Sequence, residues 1–317
     1  MTDIGELGEF GLIGRIGKQF SVPGGMTGIG DDCAVIPQES GLDTLVSTDM
    51  LIEGTHFLRE DAEPYDLGWK SAAVNISDIA AMGGKPVATF LSLALPRGLD
   101  PAWVDGFIKG YRDLSAIFSC PLLGGDTTAS PDRICINVAV LGECPSGKAK
   151  KRGDARPGDI ICVTGPLGDS AAGLKVILEG VERDADAEKL VRRHYRPMPR
   201  VKEGRALAVI DGVHAMMDIS DGIGSDLRHI LEASGAGAEV DVLAIPLSPE
   251  LAAVCAREGW DALDCAVSGG EDYELLFTAA PDADLSCIAH TKIGRITEDT
   301  ALVWKGSGKD FQGFRHF

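Results

Sequence analysis

Positive charge is scarce in this sequence: 30 Lys and Arg stand against 48 Asp and Glu, for a formal net charge of −18. Such a balance repels nucleic acid and anionic membrane surfaces. Neither is expected as a partner, and a polyanionic substrate needs local bases or bound metal to approach. Also missing is any apolar run near the ~20 residues that span a bilayer. The opening MTDIGELGEF is acidic where a secretion signal would be basic, so the expectation is a cytoplasmic protein. The eight cysteines, at 33, 120, 135, 144, 162, 255, 265 and 287, include no C-x-x-C pair, which speaks for reduced, packed thiols over zinc or disulfides. The lack of a fixed-period repeat argues against a solenoid. No Ser-His-Asp or Cys-His arrangement presents itself by motif, so nothing points to a covalent intermediate.

What is present is a chain of 317 residues, 44% hydrophobic, long enough for two domains. Strand-like and helix-like segments mix throughout, giving an α/β (α+β) fold class. TLVSTD (44–49), VATFLSLAL (87–95) and ICINVAVLG (134–142) read as strands. DLGWKSAAVNISDIAAMGG has Trp69, Ala73, Ile76 and Ala80 at helical spacing and a Gly-Gly stop. PAWVDGFIKGYRDLSAIF opens on Pro101 and stripes Phe107, Tyr111, Leu114 and Phe118. The polar, Gly- and Pro-rich stretch 142–159 has the composition of a connection between domains, dividing the chain into 1–148 and 149–317. Beyond it, DIICVTG, AEVDVL and YELLFTA read as strands, with helices from Asp169 and around EGRALAVI.

The chemistry is carried by aspartates. Asp31 and Asp32 follow a glycine turn in GIGDDCAVI, Asp49 closes the strand in STD, Asp126 follows the Gly-Gly of LLGGDTT, and Asp218 and Asp221 sit in DISDG. Each alone is compatible with an ordinary turn, because Asp bonds nearby backbone N–H groups. Their co-occurrence points to a shared site. Asp78 differs: with Ser71 and Asn75 it forms a polar stripe on the proposed helix, either a solvated face or a face turned into a site built by neighbouring strand ends. Adjacent like charges such as Asp31 and Asp32 need protonation or a cation when sheltered from water. Oxygen ligands without paired His or Cys favour a hard ion, Mg²⁺, shared with substrate phosphates.

Two basic segments bear on that reading. GECPSGKA (142–149) matches G-x-x-x-x-G-K but carries Ala149 where a P-loop has Ser or Thr, and no helix follows it, so it is not expected to hold phosphate. Of the bases beside it (Lys148, Lys150, Lys151, Arg152, Arg156), Arg152 is the candidate for a phosphate contact, since a guanidinium can grip phosphate oxygens with two prongs. RRHYRPMPR (192–200) reads as surface or domain packing.

Taken in order, GEFGLIGRI, GIGDDCAV, STDMLIEGTHF, AVNISDIAAMG, LLGGDTT, VTGPLGDSAAGL, RHYRPMPR, DISDGIGSDL and SGGEDYEL resemble the thiamine-monophosphate kinases across nearly the whole chain. The resemblance implies the two-domain (PurM-like) architecture of the aminoimidazole ribonucleotide synthetase superfamily, with the N-terminal sheet pairing across a homodimer and a C-terminal α/β domain. It implies ATP and thiamine monophosphate as partners, several Mg²⁺ ions, and transfer of the ATP γ-phosphoryl group to thiamine phosphate. Carried over by motif, the Mg²⁺ ligands fall at Asp32, Ser47, Thr48, Asp49, Asp78, Asp126, Asp218 and Asp221. Gly125, Asp126, Arg152 and Ser220 match ATP contacts, His56, Glu271 and Phe314 match contacts to the thiamine phosphate, and Asp78 and Asp126 are the electrostatic catalytic candidates. Phe314 could instead be a hydrophobic latch for the C-terminus, and Asp31 is expected to orient its loop.

Overall fold

The structure, a computed structural model, describes residues 9–18 and 22–314. The MTDIGELG opening and the last three residues of FQGFRHF lie outside the described residues. After a helix α1 (Glu9–Gly17), the first half is built on β1 (Ala34–Pro37), β2 (Leu42–Ile52), β3 (Lys85–Pro96), β4 (Leu122–Ser130) and β5 (Cys135–Pro145). They form one sheet in the order β1-β2-β5-β3-β4, antiparallel except for the β3–β4 pair. Two helices belong to this half: α2 (Pro64–Ala81) and α3 (Pro101–Ile117).

Alternation fixes which face of the sheet the helices cover. Along β5, Ile136, Val138 and Val140 are fully buried while the residues between them are half-exposed, the period of a strand with one packed face. The expected helix over 101–118 forms with Asp100 capping it, its carboxylate accepting from Ala102 N at 2.9 Å. Its Phe107, Tyr111 and Leu114 stripe is buried, and Phe118 packs at the edge of the core. α2 and α3 approach so closely that a Cβ at Gly68 would strike the Phe107 carbonyl, and one at Gly110 the Tyr65 carbonyl. This reciprocal glycine contact locks the pair.

The second half carries β6 (Ile160–Val163), α4 (Asp169–Leu178), α5 (Ala185–Tyr195), α6 (Val201–Ala208), β7 (Val213–Asp218), α7 (Ile223–Ser234), β8 (Gly237–Asp241), α8 (Pro249–Glu258), α9 (Ala262–Ser268), β9 (Leu275–Ala279), β10 (Thr291–Thr297) and β11 (Leu302–Lys305). Its six strands run β11-β8-β10-β6-β9-β7. The mixed α/β class is as expected. No helix among the described residues is long and apolar enough to cross a membrane. All eight cysteines are free thiols, six of them buried.

Three local expectations change. LLGGDTT is not a turn: it is the interior of edge strand β4, because the β3 backbone supplies a parallel partner along its whole length. Asp49 does not close β2 but sits within it. And α2 has no solvated face. Ser71 and Asn75 are buried with the apolar residues, their polar groups turned back to Leu67 O (2.7 Å) and Ser71 O (3.0 Å). The reason is position: α2 touches β2, β3 and β5 of one sheet, β7 of the other, and α3, α5 and α6.

Candidate active site

Because α2 is enclosed by both halves, its polar residues meet strand ends from each. Asp32, just before β1, Asp78 on α2, and Asp218, at the end of β7, each present a carboxylate oxygen within 4.8 Å of the others. Asp32 and Asp218 are buried, and Asp78 opens to a cleft of about 1770 Å³. Ser47 donates its hydroxyl to Asp78 Oδ2 and Ser77 donates to Asp218 Oδ2. Asp49 faces the same helix, its N–H donating to Asn75 Oδ1 at 3.1 Å.

This cluster carries more negative charge than its neighbours balance. Burial, then the Asp32 charge, pushes the Asp49 carboxyl up to about 6. The same two causes, in the same order, push Asp218 up to about 7. Asp78 is driven well above the usual carboxylate range by burial, then by Asp49 and Asp218. Among the described residues Arg152 is the strong counter-charge: its guanidinium donates to Asp32 Oδ1 at 2.6 Å. Burial opposes its charge, but Asp32 more than offsets that and holds it firmly protonated. Asp31 does orient the loop, accepting the Arg152 backbone N–H at 2.8 Å. Asp32 Oδ2, though buried, has no hydrogen-bond partner, an arrangement that costs free energy unless a cation or donor meets it. The donor set is all oxygen, which fits a hard divalent ion.

The other candidates divide into those the fold brings to this cleft and those it does not. Ser220, Asp221, His56, Glu271 and Phe314 all line it. His56 accepts the Ile52 N–H on Nδ1 at 3.0 Å, so a neutral ring carries its proton on Nε2. Phe314 is half-exposed, and its N–H donates to Asp221 O at 2.9 Å. The latch on the C-terminus is instead Phe311, buried edge-on against Trp304 at 5.4 Å.

Thr48 also lines the cleft, but its side chain and that of Asp126 lie on the other side of the sheet. Register pairs Met50 with Asn137, Asn137 with Ser92, and Ser92 with Asp126. Asp126 therefore shares a face with Met50 and Thr48, opposite to Asp49. It stands three strands, roughly 14 Å, from β2. Gly125 and Asp126 are exposed and outside the cleft of this chain. The Thr48 hydroxyl donates to Val138 O (3.0 Å) and accepts from Asn137 Nδ2 (2.9 Å).

Sequence reasoning missed Ser77, Lys70, His194, Asp226 and Tyr273. Asp226 is buried at the start of α7 and accepts the Gly222 N–H at 3.0 Å. Lys70, Val74 and Asp78 recur at i, i+4 and i+8, so one face of α2 carried the signal. RRHYRPMPR packs the two halves together, with Trp69 Nε1 donating to Pro197 O at 2.9 Å, and its buried His194 and Tyr195 also line the cleft.

Comparison with known proteins agrees with this architecture. Residues 30–144 match the profile of the AIR synthase related protein N-terminal domain, and 156–304 that of its C-terminal domain. The thiamine-monophosphate kinase of Salmonella typhimurium is 46% identical, with 98% of each chain covered. That of Aquifex aeolicus is 37% identical over 98% of this chain and 99% of its own. This chain belongs to the thiamine-monophosphate kinase family. A solved structure of AaThiL complexed with AMPPCP and TMP superposes with a TM-score of 0.93 at 36% identity, covering 100% of this chain and 99% of that one. That relative thus shares this fold from the first sheet to the last.

Proposed function

We propose that this chain is an ATP-dependent kinase that phosphorylates thiamine monophosphate to thiamine diphosphate. The observation that carries it is the convergence of Asp32, Asp78 and Asp218, with a buried, unpartnered carboxylate oxygen, on a cleft large enough for two phosphorylated ligands. Support comes from the family relative solved with an ATP analogue and TMP. Two anionic reactants repel one another and this acidic chain, and Mg²⁺ held by Asp32, Asp78 and Asp218, with Ser47, Asp49 and Asp221 beside them, would supply the neutralising charge.

The chain's own residues then position and neutralise. Arg152, fixed by Asp32, and Ser220 face the nucleotide phosphates. His56, Glu271 and Phe314 hold the thiamine phosphate. An oxygen of that phosphate attacks the γ-phosphorus in line, the bond from γ-phosphorus to the bridging oxygen breaks, and ADP leaves. A phosphate monoester is largely deprotonated near neutral pH, so no general base is assigned and no phosphoenzyme forms.

Thr48, Gly125 and Asp126 fit this scheme through a second copy of the chain. The sheet face they share exposes Met50 and Phe90. A homodimer closing on that face would bring Gly125 and Asp126 of one copy toward the Thr48 side of the other. The division at residues 148 and 149 and a cytoplasmic location belong to the same reading.

The test is incubation with Mg-ATP and thiamine monophosphate, with products identified by mass. Thiamine diphosphate and ADP in equal amounts are expected, with inversion at a chiral γ-phosphorus. ADP without thiamine diphosphate would overturn the assignment.

A further inference from the structure

A buried lysine sits at the far end of α2's cleft-facing stripe, where none of the proposed phosphate chemistry uses it. Lys70 is 1% exposed, and an ammonium that deep must be paired. Its Nζ lies 2.8 Å from Glu271 Oε1 and 3.5 Å from His194 Nε2. An ammonium can only donate, so His194 Nε2 accepts and the ring proton sits on Nδ1. From there it faces Glu271 Oε2 at 3.3 Å and Ser170 Oγ at 3.1 Å. Both oxygens of Glu271 are therefore gripped from behind, one by each neighbour.

The backbone adds a second restraint. Glu271 and Tyr273 adopt φ of 64° and 52°, a left-handed conformation that is strained for a residue with a Cβ and persists only where the surroundings impose it. Here they do: Glu271 N donates to Ser220 O at 2.7 Å and Tyr273 N to Ile219 O at 2.9 Å. The turn is thus bound to the loop that follows Asp218. Glu271 keeps a side chain 28% exposed, and it opens on the cleft.

Resting on the kinase reading above, we propose that Lys70 and His194 are positioning residues that hold the Glu271 carboxylate in one orientation, so that it accepts hydrogen bonds from an amino edge of the organic part of the phosphate acceptor. The charges agree with this geometry. Burial raises the Glu271 carboxyl, but the charge and hydrogen bond of Lys70 offset it and leave it below the usual range. His194 itself is pushed down to about 3, by burial first and then by Lys70, and stays neutral. A fixed anion without a spare proton discriminates against acceptors that offer only lone pairs there, because two acceptors meeting in a desolvated site leave both unsatisfied.

The experiment is steady-state kinetics on Lys70→Met, His194→Gln, Glu271→Gln and the double variant Lys70→Met/Glu271→Gln, varying thiamine monophosphate and ATP separately. Wild-type turnover, measured alongside, judges the kinase reading independently of what these variants do. Lys70→Met is expected to raise KM for thiamine monophosphate about tenfold or more with KM for ATP within about twofold. The ratio of its KM to that of wild type should climb further as pH falls, because Glu271 without its ammonium takes up a proton more readily. His194→Gln, which retains one donor, should show a smaller rise. The double variant should match Glu271→Gln alone, since Lys70 acts through that carboxylate. An unchanged KM for thiamine monophosphate in both Lys70→Met and His194→Gln would overturn the proposal. So would equal losses for both substrates, or a double variant whose effects simply add.

Discussion

The two ends of the cleft hold charge in opposite ways. At one, Asp32, Asp49, Asp78 and Asp218 crowd together with Arg152 as their strong counter-ion, and the carboxyls of Asp49, Asp78 and Asp218 are raised. At the other, Glu271 is matched by Lys70 and oriented by His194, and its carboxyl is lowered. Burial is common to both, so burial does not decide the outcome; the neighbours do. An unbalanced cluster is suited to take in cations, and a balanced pair is suited to hold an organic group without drawing in metal.

The comparison breaks most visibly through Asp78. Asp78→Ala should lower kcat on the order of 10³-fold by removing a charge that matters to phosphoryl transfer, while circular dichroism and melting in chelator remain native. Turnover near wild type would show that the acidic end does not act in catalysis. A smaller effect asks whether that end is complete in one chain. Asp126→Ala should also be inactive. In the homodimer proposed above, mixing it with Asp78→Ala after dissociation and reassociation should restore about one quarter of wild-type activity, because half the pairs would be mixed and one of their two sites intact. No restoration, or an Asp126→Ala variant with full activity, would separate Asp126 from the site.

The smallest effect sharpens the contrast in sign. Raised carboxyls bind protons in the folded chain that the unfolded chain, with values near 3.8, has already released. In chelator, stability should therefore fall as pH rises from about 4 through about 7. Glu271 contributes the reverse: its share of stability is present above 4.5, its unfolded value, and is lost as pH falls through the lower folded value. Melting temperature against pH should drop by several degrees over the upper window, and saturating Mg²⁺ or Asp218→Asn should flatten that drop. A flat profile in metal-free wild type would contradict the charge excess described for the acidic cluster.

How much of this was legible beforehand follows from the same physics. Asp32 and Asp218 stood out because they flank glycine turns at strand ends, places where fold and chemistry coincide. Asp126 carried the same local signature yet lies inside β4, because a parallel pairing with β3 is a long-range fact that no Gly-Gly pair reveals. Lys70 was invisible for a different reason. A lysine on an amphipathic helix is ordinarily solvated, and only the packing of α2 between two sheets buries it. His194 was hidden in RRHYRPMPR by its exposed arginine neighbours, which point away while the ring turns inward.

Lys70 and Asp78 ride on the same straight helix, eight residues and so roughly 12 Å apart along its axis. α2 is therefore a ruler as well as a scaffold: it sets how far the head of a molecule can sit from the end that reacts. A deletion or insertion of one residue between them would turn one mark about 100° away from the other, whereas swapping side chains leaves the gauge intact. On the proposed reading, selectivity for the length of the acceptor would follow from the pitch of one helix, which the glycines clamp against α3.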